Sequence, residues 1–185
     1  MKTIKNIMIL LQISFLLLVV PSVCSMEEDL SLIPNGSLEK GDPFPVKWLI
    51  PDGDNARFIP SGPFHGRVLN LFNEDQDSTG TVLYETSVYP LEAVGDVLLQ
   101  FDYKSQKTGI IVEVRGYGPV RGENEIVYRR KADIDFNGSG WQRFQIILCP
   151  RCRYYKVEAL QIVFISKQSP SNIYLDNFKL APISD

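Results

Sequence analysis

The stretch DVLLQFDYK, Asp96–Lys104, is where the fold is decided. Val97, Leu99, Phe101 and Tyr103 fall on one side of an extended chain, with Leu98, Gln100 and Asp102 on the other. A period of two marks a strand with one face buried and one face in water. GIIVEVRGYG, from Gly109, repeats the pattern, setting Ile110, Val112 and Val114 against Ile111, Glu113, Arg115 and Tyr117. WQRFQIILC, from Trp141, places Phe144, Ile146 and Leu148 opposite Arg143, Gln145 and Ile147. ALQIVFIS and NIYLDNFKL supply further late strands, and RVLNLF and GTVLYETSVY earlier ones.

Between these runs lie PDGDN, SGPFHG, NEDQDSTG, YGPVRGEN and FNGSGW, all rich in turn-forming residues. Helical periodicity is almost absent, and YPLEAVG reads as one or two turns at most. Short amphipathic strands punctuated this often predict an all-β fold, a two-sheet antiparallel β-sandwich. Gln100, Asp102, Glu113, Arg115, Tyr117, Arg143, Gln145 and Gln161 are then expected to face solvent. Which of them share a sheet does not follow from alternation.

The start of the chain reads differently. Lys2 and Lys5 precede an apolar run from Ile7 to Val20, and Pro21 and Val23-Cys24-Ser25 lead into acidic Met-Glu-Glu-Asp. Residues 1–25 read as a secretory signal peptide, cleaved after Ser25, and residues 26–185 as a single domain. A retained membrane anchor and a lipidated Cys24 are the alternatives, but the apolar run is short for a span and Val23 is large beside a lipidated cysteine. Without the leader, 17 basic residues stand against 22 acidic ones, a formal charge of −5. That balance argues against nucleic acid or anionic lipid as partner, and the expected location is extracellular or periplasmic, with no membrane after cleavage.

Catalytic signatures are weak. There is no Gly-x-Ser-x-Gly elbow, and the one histidine, His65, sits in a glycine- and proline-rich loop. Glu74/Asp75, Glu123/Glu125 and Asp133/Asp135 are acid pairs, none marked as a facing glycosidase pair. RGYGPVRG joins strands and lacks the helix N-terminus that would hold a phosphate. Cys149 and Cys152 read as a local disulfide or as free thiols, with metal or redox chemistry a lesser alternative. Asn35-Gly36-Ser37 and Asn137-Gly138-Ser139 match the glycosylation sequon, relevant only in a eukaryotic host.

The two ends of the chain carry a resemblance. IPNGSLEKG followed by FPVKW near the start, FHGRVLNL, GWQRFQIIL and finally SNIYLDNFKL occur in order from Leu32 to Leu180. Together they resemble secreted carbohydrate-binding modules with a galactose-binding-like jelly-roll fold. The resemblance implies a non-catalytic module that binds a poly- or oligosaccharide, working alone or with an enzyme or surface protein in trans. It also implies a structural Ca2+ where the first and last strands meet, held by Glu39, the Gly41 carbonyl and Asp176. Two carboxylates and backbone carbonyls are the hard oxygens calcium prefers.

Sugar contacts are expected from the wet faces, at Gln100, Asp102, Glu113, Arg115, Tyr117 and Gln145, with Tyr84, Tyr154 and Tyr155 as loop aromatics. Trp48 and Trp141 are expected to anchor core or loops, leaving the wet face without an exposed tryptophan. A groove for soluble chains, or no glycan at all, fits that better than a platform for crystalline polymer. A protein-interaction module on the same sandwich, using Tyr154, Tyr155 and the YRRK segment, is the main alternative, and a small polysaccharide-active enzyme the next.

Overall fold

The computed structural model describes residues 31–51, 55–61, 65–73, 79–91, 95–105, 109–135, 138, 140–150, 155–167 and 171–183. The leader, Cys152, Tyr154 and residues 92–94 of the expected YPLEAVG turn lie outside the described residues, and Tyr89–Pro90 of that stretch form a short strand rather than a helical turn. The described residues form ten strands: β1 (Ala56–Pro60), β2 (Arg67–Asn73), β3 (Val82–Glu85), β4 (Tyr89–Pro90), β5 (Val97–Ser105), β6 (Ile110–Val120), β7 (Glu123–Ile134), β8 (Gln142–Leu148), β9 (Ala159–Ser166) and β10 (Ser171–Pro182). One sheet runs β1-β2-β10-β5-β8. The other runs β3-β9-β6-β7, with β4 also paired to β9. The pairings are antiparallel. This is the sandwich the alternation predicts. Among the described residues no helix is long and apolar enough to cross a membrane.

Alternation sets the core. Val97, Leu99 and Phe101 on β5 are fully buried, and so are Ile110, Leu148, Leu160, Ile162 and Phe164 from β6, β8 and β9. Phe101 links the layers, stacking on Phe144 at 4.8 Å and meeting Phe164 edge-on at 5.7 Å. Burying such a ring contributes roughly 1.5–3 kcal/mol, so the inner faces fix each strand's orientation.

The N-terminal segment is clipped onto the last strand. Leu32 N donates to Leu180 O at 2.7 Å, and Phe178 N to Gly36 O at 2.9 Å. Gly36 lies so close to β10 that an added Cβ would overlap the Phe178 carbonyl oxygen. Asn35, at φ 53°, closes the following loop: its Nδ2 donates to Lys40 O at 2.9 Å, and Lys40 N donates to its Oδ1 at 3.0 Å. Trp48 completes the clasp. Its indole N–H is shared between Pro34 O and Asn35 O, and its ring packs on Phe178 at 4.9 Å. The anchoring role expected of Trp48 is therefore what it performs.

Trp141 differs. It is half-buried and stacks on His65 at 3.8 Å, away from the inter-sheet core.

Candidate functional site

The six residues expected to contact sugar divide between opposite faces of the sandwich. Gln100 and Asp102 on β5 and Gln145 on β8 lie on the outer face of the first sheet, where register pairs Gln100 with Gln145 and Asp102 with Arg143. Gln145 Nε2 donates to Gln100 Oε1 at 2.7 Å. Arg143 Nε and Asn177 Nδ2 donate to Asp102 at 2.8 and 3.0 Å. Burial alone would raise the Asp102 carboxyl, but those two donors hold it below its ordinary range.

Glu113, Arg115 and Tyr117 on β6 lie on the outer face of the second sheet. Register places Glu113 beside Val163 and Lys131, Arg115 beside Gln161 and Arg129, and Glu85 beside Val163. A continuous chain of bonds crosses this face. Tyr117 Oη donates to Gln161 Oε1 at 2.7 Å, and Gln161 Nε2 donates to Thr86 O at 3.1 Å and reaches Glu85 Oε2 at 3.5 Å. Arg115 bridges Glu85 and Glu113, at 2.7 Å to each, and Lys131 Nζ meets Glu113 Oε2 at 2.8 Å.

Beneath the network Val163 is fully buried and Ile165 is 8% exposed, so the polar groups rest on an apolar floor. At the β3 edge a cavity of about 290 Å3 opens beside Leu49, Ile50 and Val82 and shares Glu85 with the network.

Three expectations are corrected here. Glu113 does not point freely into solvent: it is 2% exposed, because Arg115 and Lys131 fold over it. Desolvation would raise its carboxyl, but these partners hold it below the ordinary value. Tyr84 is no loop aromatic. It lies on β3, 5% exposed, with its hydroxyl donating to Leu49 O at 2.8 Å, and burial raises its phenol. Gln161, expected to face solvent, is on the outer face but 8% exposed. Tyr155 is exposed. Glu85, Arg129 and Lys131 were not singled out as sugar contacts from the sequence. Only cross-strand register brings them to Glu113 and Arg115, and no local pattern announces that.

The residues expected to hold calcium do meet at the clasp. Arg67 N donates to Glu39 Oε1 at 2.7 Å, and Arg67 Nη1 donates to Gly41 O at 2.7 Å and Leu38 O at 3.3 Å. Asp176, 2% exposed, is hydrogen-bonded through Oδ2 to His65 Nδ1 at 2.8 Å, while Asn177 N donates to its Oδ1. Burial pushes the Asp176 carboxyl up to about 6, against the pull of His65 and Asn177. As arranged, the set does not fit a calcium ion: a guanidinium occupies the Gly41 carbonyl, and both Asp176 oxygens are already hydrogen-bonded, to His65 Nδ1 and Asn177 N. Among the described residues no group of three or more His, Cys, Asp or Glu is placed to hold a metal.

The sandwich fold is that of carbohydrate-binding modules. The chain is similar to a family 16 carbohydrate-binding module at 20% identity and TM-score 0.53, covering 81% of this chain and 99% of that one. It is similar to a family 61 module in complex with β-1,4-galactotriose at 17% identity and TM-score 0.52, covering 83% and 99%. The enzymatically active domain of bacteriophage CBA120 tailspike protein 4 matches at 14% identity and TM-score 0.54, where this chain covers 22% of the tailspike chain. No protein-family model matches the sequence, and no curated protein matches it.

Proposed function

We propose that the protein is a secreted, non-catalytic module that captures a poly- or oligosaccharide on the outer face of the β3-β9-β6-β7 sheet. The observation that carries this reading is the bonded network from Tyr117 through Gln161, Glu85 and Arg115 to Glu113. Sugar recognition needs amide, carboxylate and guanidinium groups held in place against ring hydroxyls, beside a flat apolar surface for C–H faces. This face offers both: cross-braced polar groups, and the aromatic ring of Tyr117, held among them by its bond to Gln161. Because the braces are already formed, little side-chain freedom is lost on binding.

The opposite face serves this purpose less well. Its Asp102–Arg143 pair has an arginine side chain 56% exposed, and such surface pairs carry little energy. The likeness of the fold to the family 16 and family 61 modules, each covered to 99%, supports a binding role as well. The β-1,4-galactotriose bound by the family 61 module makes short β-linked galactans a first ligand to try.

A glycan array followed by calorimetry tests the reading. Tyr117→Ala and Glu85→Ala should each weaken binding about tenfold or more, while Gln100→Ala and Gln145→Ala leave it unchanged. The reverse pattern would move the site to the other sheet, and release of reducing ends from a polysaccharide would overturn the non-catalytic assignment.

A further inference from the structure

Strands β6 and β7 pair with Arg115 directly opposite Arg129 and with Glu113 directly opposite Lys131. Two guanidinium groups facing each other across a sheet repel, and like charges in this position destabilise the pairing. Glu113 offsets only part of that cost. Its buried carboxylate takes Arg115 Nε at 2.7 Å and Lys131 Nζ at 2.8 Å, leaving Arg129 Nη1 at 3.9 Å. The Arg115 Nη1 donor goes to Glu85. The side chains of Arg129 and Lys131 are each 58% exposed, so both turn donors to water. Three cations thus gather around one buried carboxylate, in a chain whose formal charge is −3. At the end of β7, Asp133 and, just past the strand, Asp135 face Lys167, at 3.8 and 2.8 Å.

A surface built only for neutral sugars needs hydroxyl partners, and Gln161, Glu85 and Tyr117 are suited to that. It gains nothing from an opposed arginine pair. An anion seated against Arg129 and Lys131 relieves the repulsion and meets a planar guanidinium fork beside a mobile ammonium, the combination that binds carboxylate and sulfate oxygens. We propose that the β6–β7 half of this face binds the anionic group of an acidic polysaccharide, a uronate carboxylate or a sulfate ester, with Arg129 and Lys131 as its ligands. The proposal rests on the carbohydrate-binding reading of the same face and adds the class of sugar.

The test is affinity electrophoresis and calorimetry of the protein against three polymers: polygalacturonate, its carboxyl-reduced galactan, and a sulfated galactan. At least one charged polymer should bind about tenfold or more tightly than the neutral one, and high salt should weaken that binding. Arg129→Ala and Lys131→Ala should each lose about tenfold on the charged polymer. Both are surface positions, and a melting curve checks that the variants are folded. Lys104→Ala, on the other sheet, should bind like the wild type. Preference for polygalacturonate assigns the anion as carboxylate and preference for the sulfated polymer as sulfate; either supports the proposal. Equal binding of the neutral polymer, or full binding by Arg129→Ala, overturns it while the carbohydrate reading stands. Binding of none of the three polymers, together with a blank glycan array, overturns both.

Discussion

Replacing Arg67 by alanine should open the clasp that joins the N-terminal segment to β10. The substitution keeps the backbone donor to Glu39 but removes a charge-assisted bond to Gly41 O at 2.7 Å and a longer one to Leu38 O at 3.3 Å. Hydrogen bonds to charged groups contribute about 1.5–3 kcal/mol each. Here Gly41 is partly exposed, so water replaces much of that bond, whereas Leu38 is fully buried and its carbonyl is less easily rehydrated.

The expected net loss is about 2 kcal/mol, which for a sandwich of this size corresponds to a fall in melting temperature of roughly 4–8 °C. The assay is a thermal melt followed by circular dichroism, run with chelator, with added calcium and with neither. The wild type should melt at one temperature in all three, because Arg67 and His65 already serve the acceptors a metal would need. Two results would refute this reasoning. Arg67→Ala could melt with the wild type, or chelator could lower the wild-type transition by several degrees, returning Glu39, Gly41 and Asp176 to the role of calcium ligands.

Other expectations follow from the same geometry. Glu113→Gln leaves Arg115 and Lys131 facing a neutral side chain. Loss of one member of a buried ion pair costs about 3–5 kcal/mol, but the partly exposed cations can rehydrate, so about 2 kcal/mol is expected in a urea titration. A double-mutant cycle with Lys131→Met should return a coupling of at least about 0.5 kcal/mol, and zero would dismiss the pairing. Glu113 and Asp102 are both held below the ordinary carboxylate range, so their contribution is full above about pH 4 and is lost as pH falls through their lowered values. Acid melts of wild type and Glu113→Gln should therefore converge as pH drops, and a constant gap would contradict the depressed Glu113. Gly36→Ala should destabilise by about 2 kcal/mol or more, because the new methyl meets the Phe178 carbonyl. An unchanged melt would mean the clasp yields more easily than this contact implies.

Much of the architecture was legible in the chain because strand alternation is a local signal. Val97, Leu99, Phe101 and Tyr103 turn inward as their spacing requires, and Gln100 and Asp102 turn outward. Trp48 and the Asn35-Gly36 turn sit where the sequence placed them, since a turn with φ above zero and a buried indole each need particular residues. The binding face was only half legible. Alternation tells a residue which side of its own strand it occupies but not which sheet that strand joins. Six wet residues that look equivalent in sequence therefore lie on opposite faces, Gln100, Asp102 and Gln145 on one and Glu113, Arg115 and Tyr117 on the other.

What the sequence determined by itself was the class of fold and the set of outward polar side chains. Long-range register alone decided that Glu113 would be buried under cations from β6 and β7, that Arg115 would face Arg129, and that Arg67 would reach the Gly41 carbonyl. Those outcomes depend on partners distant in sequence, up to 26 residues for Arg67 and Gly41, meeting across strands and loops, and hydrogen-bond distance between such groups is a property of the folded chain that no local pattern encodes.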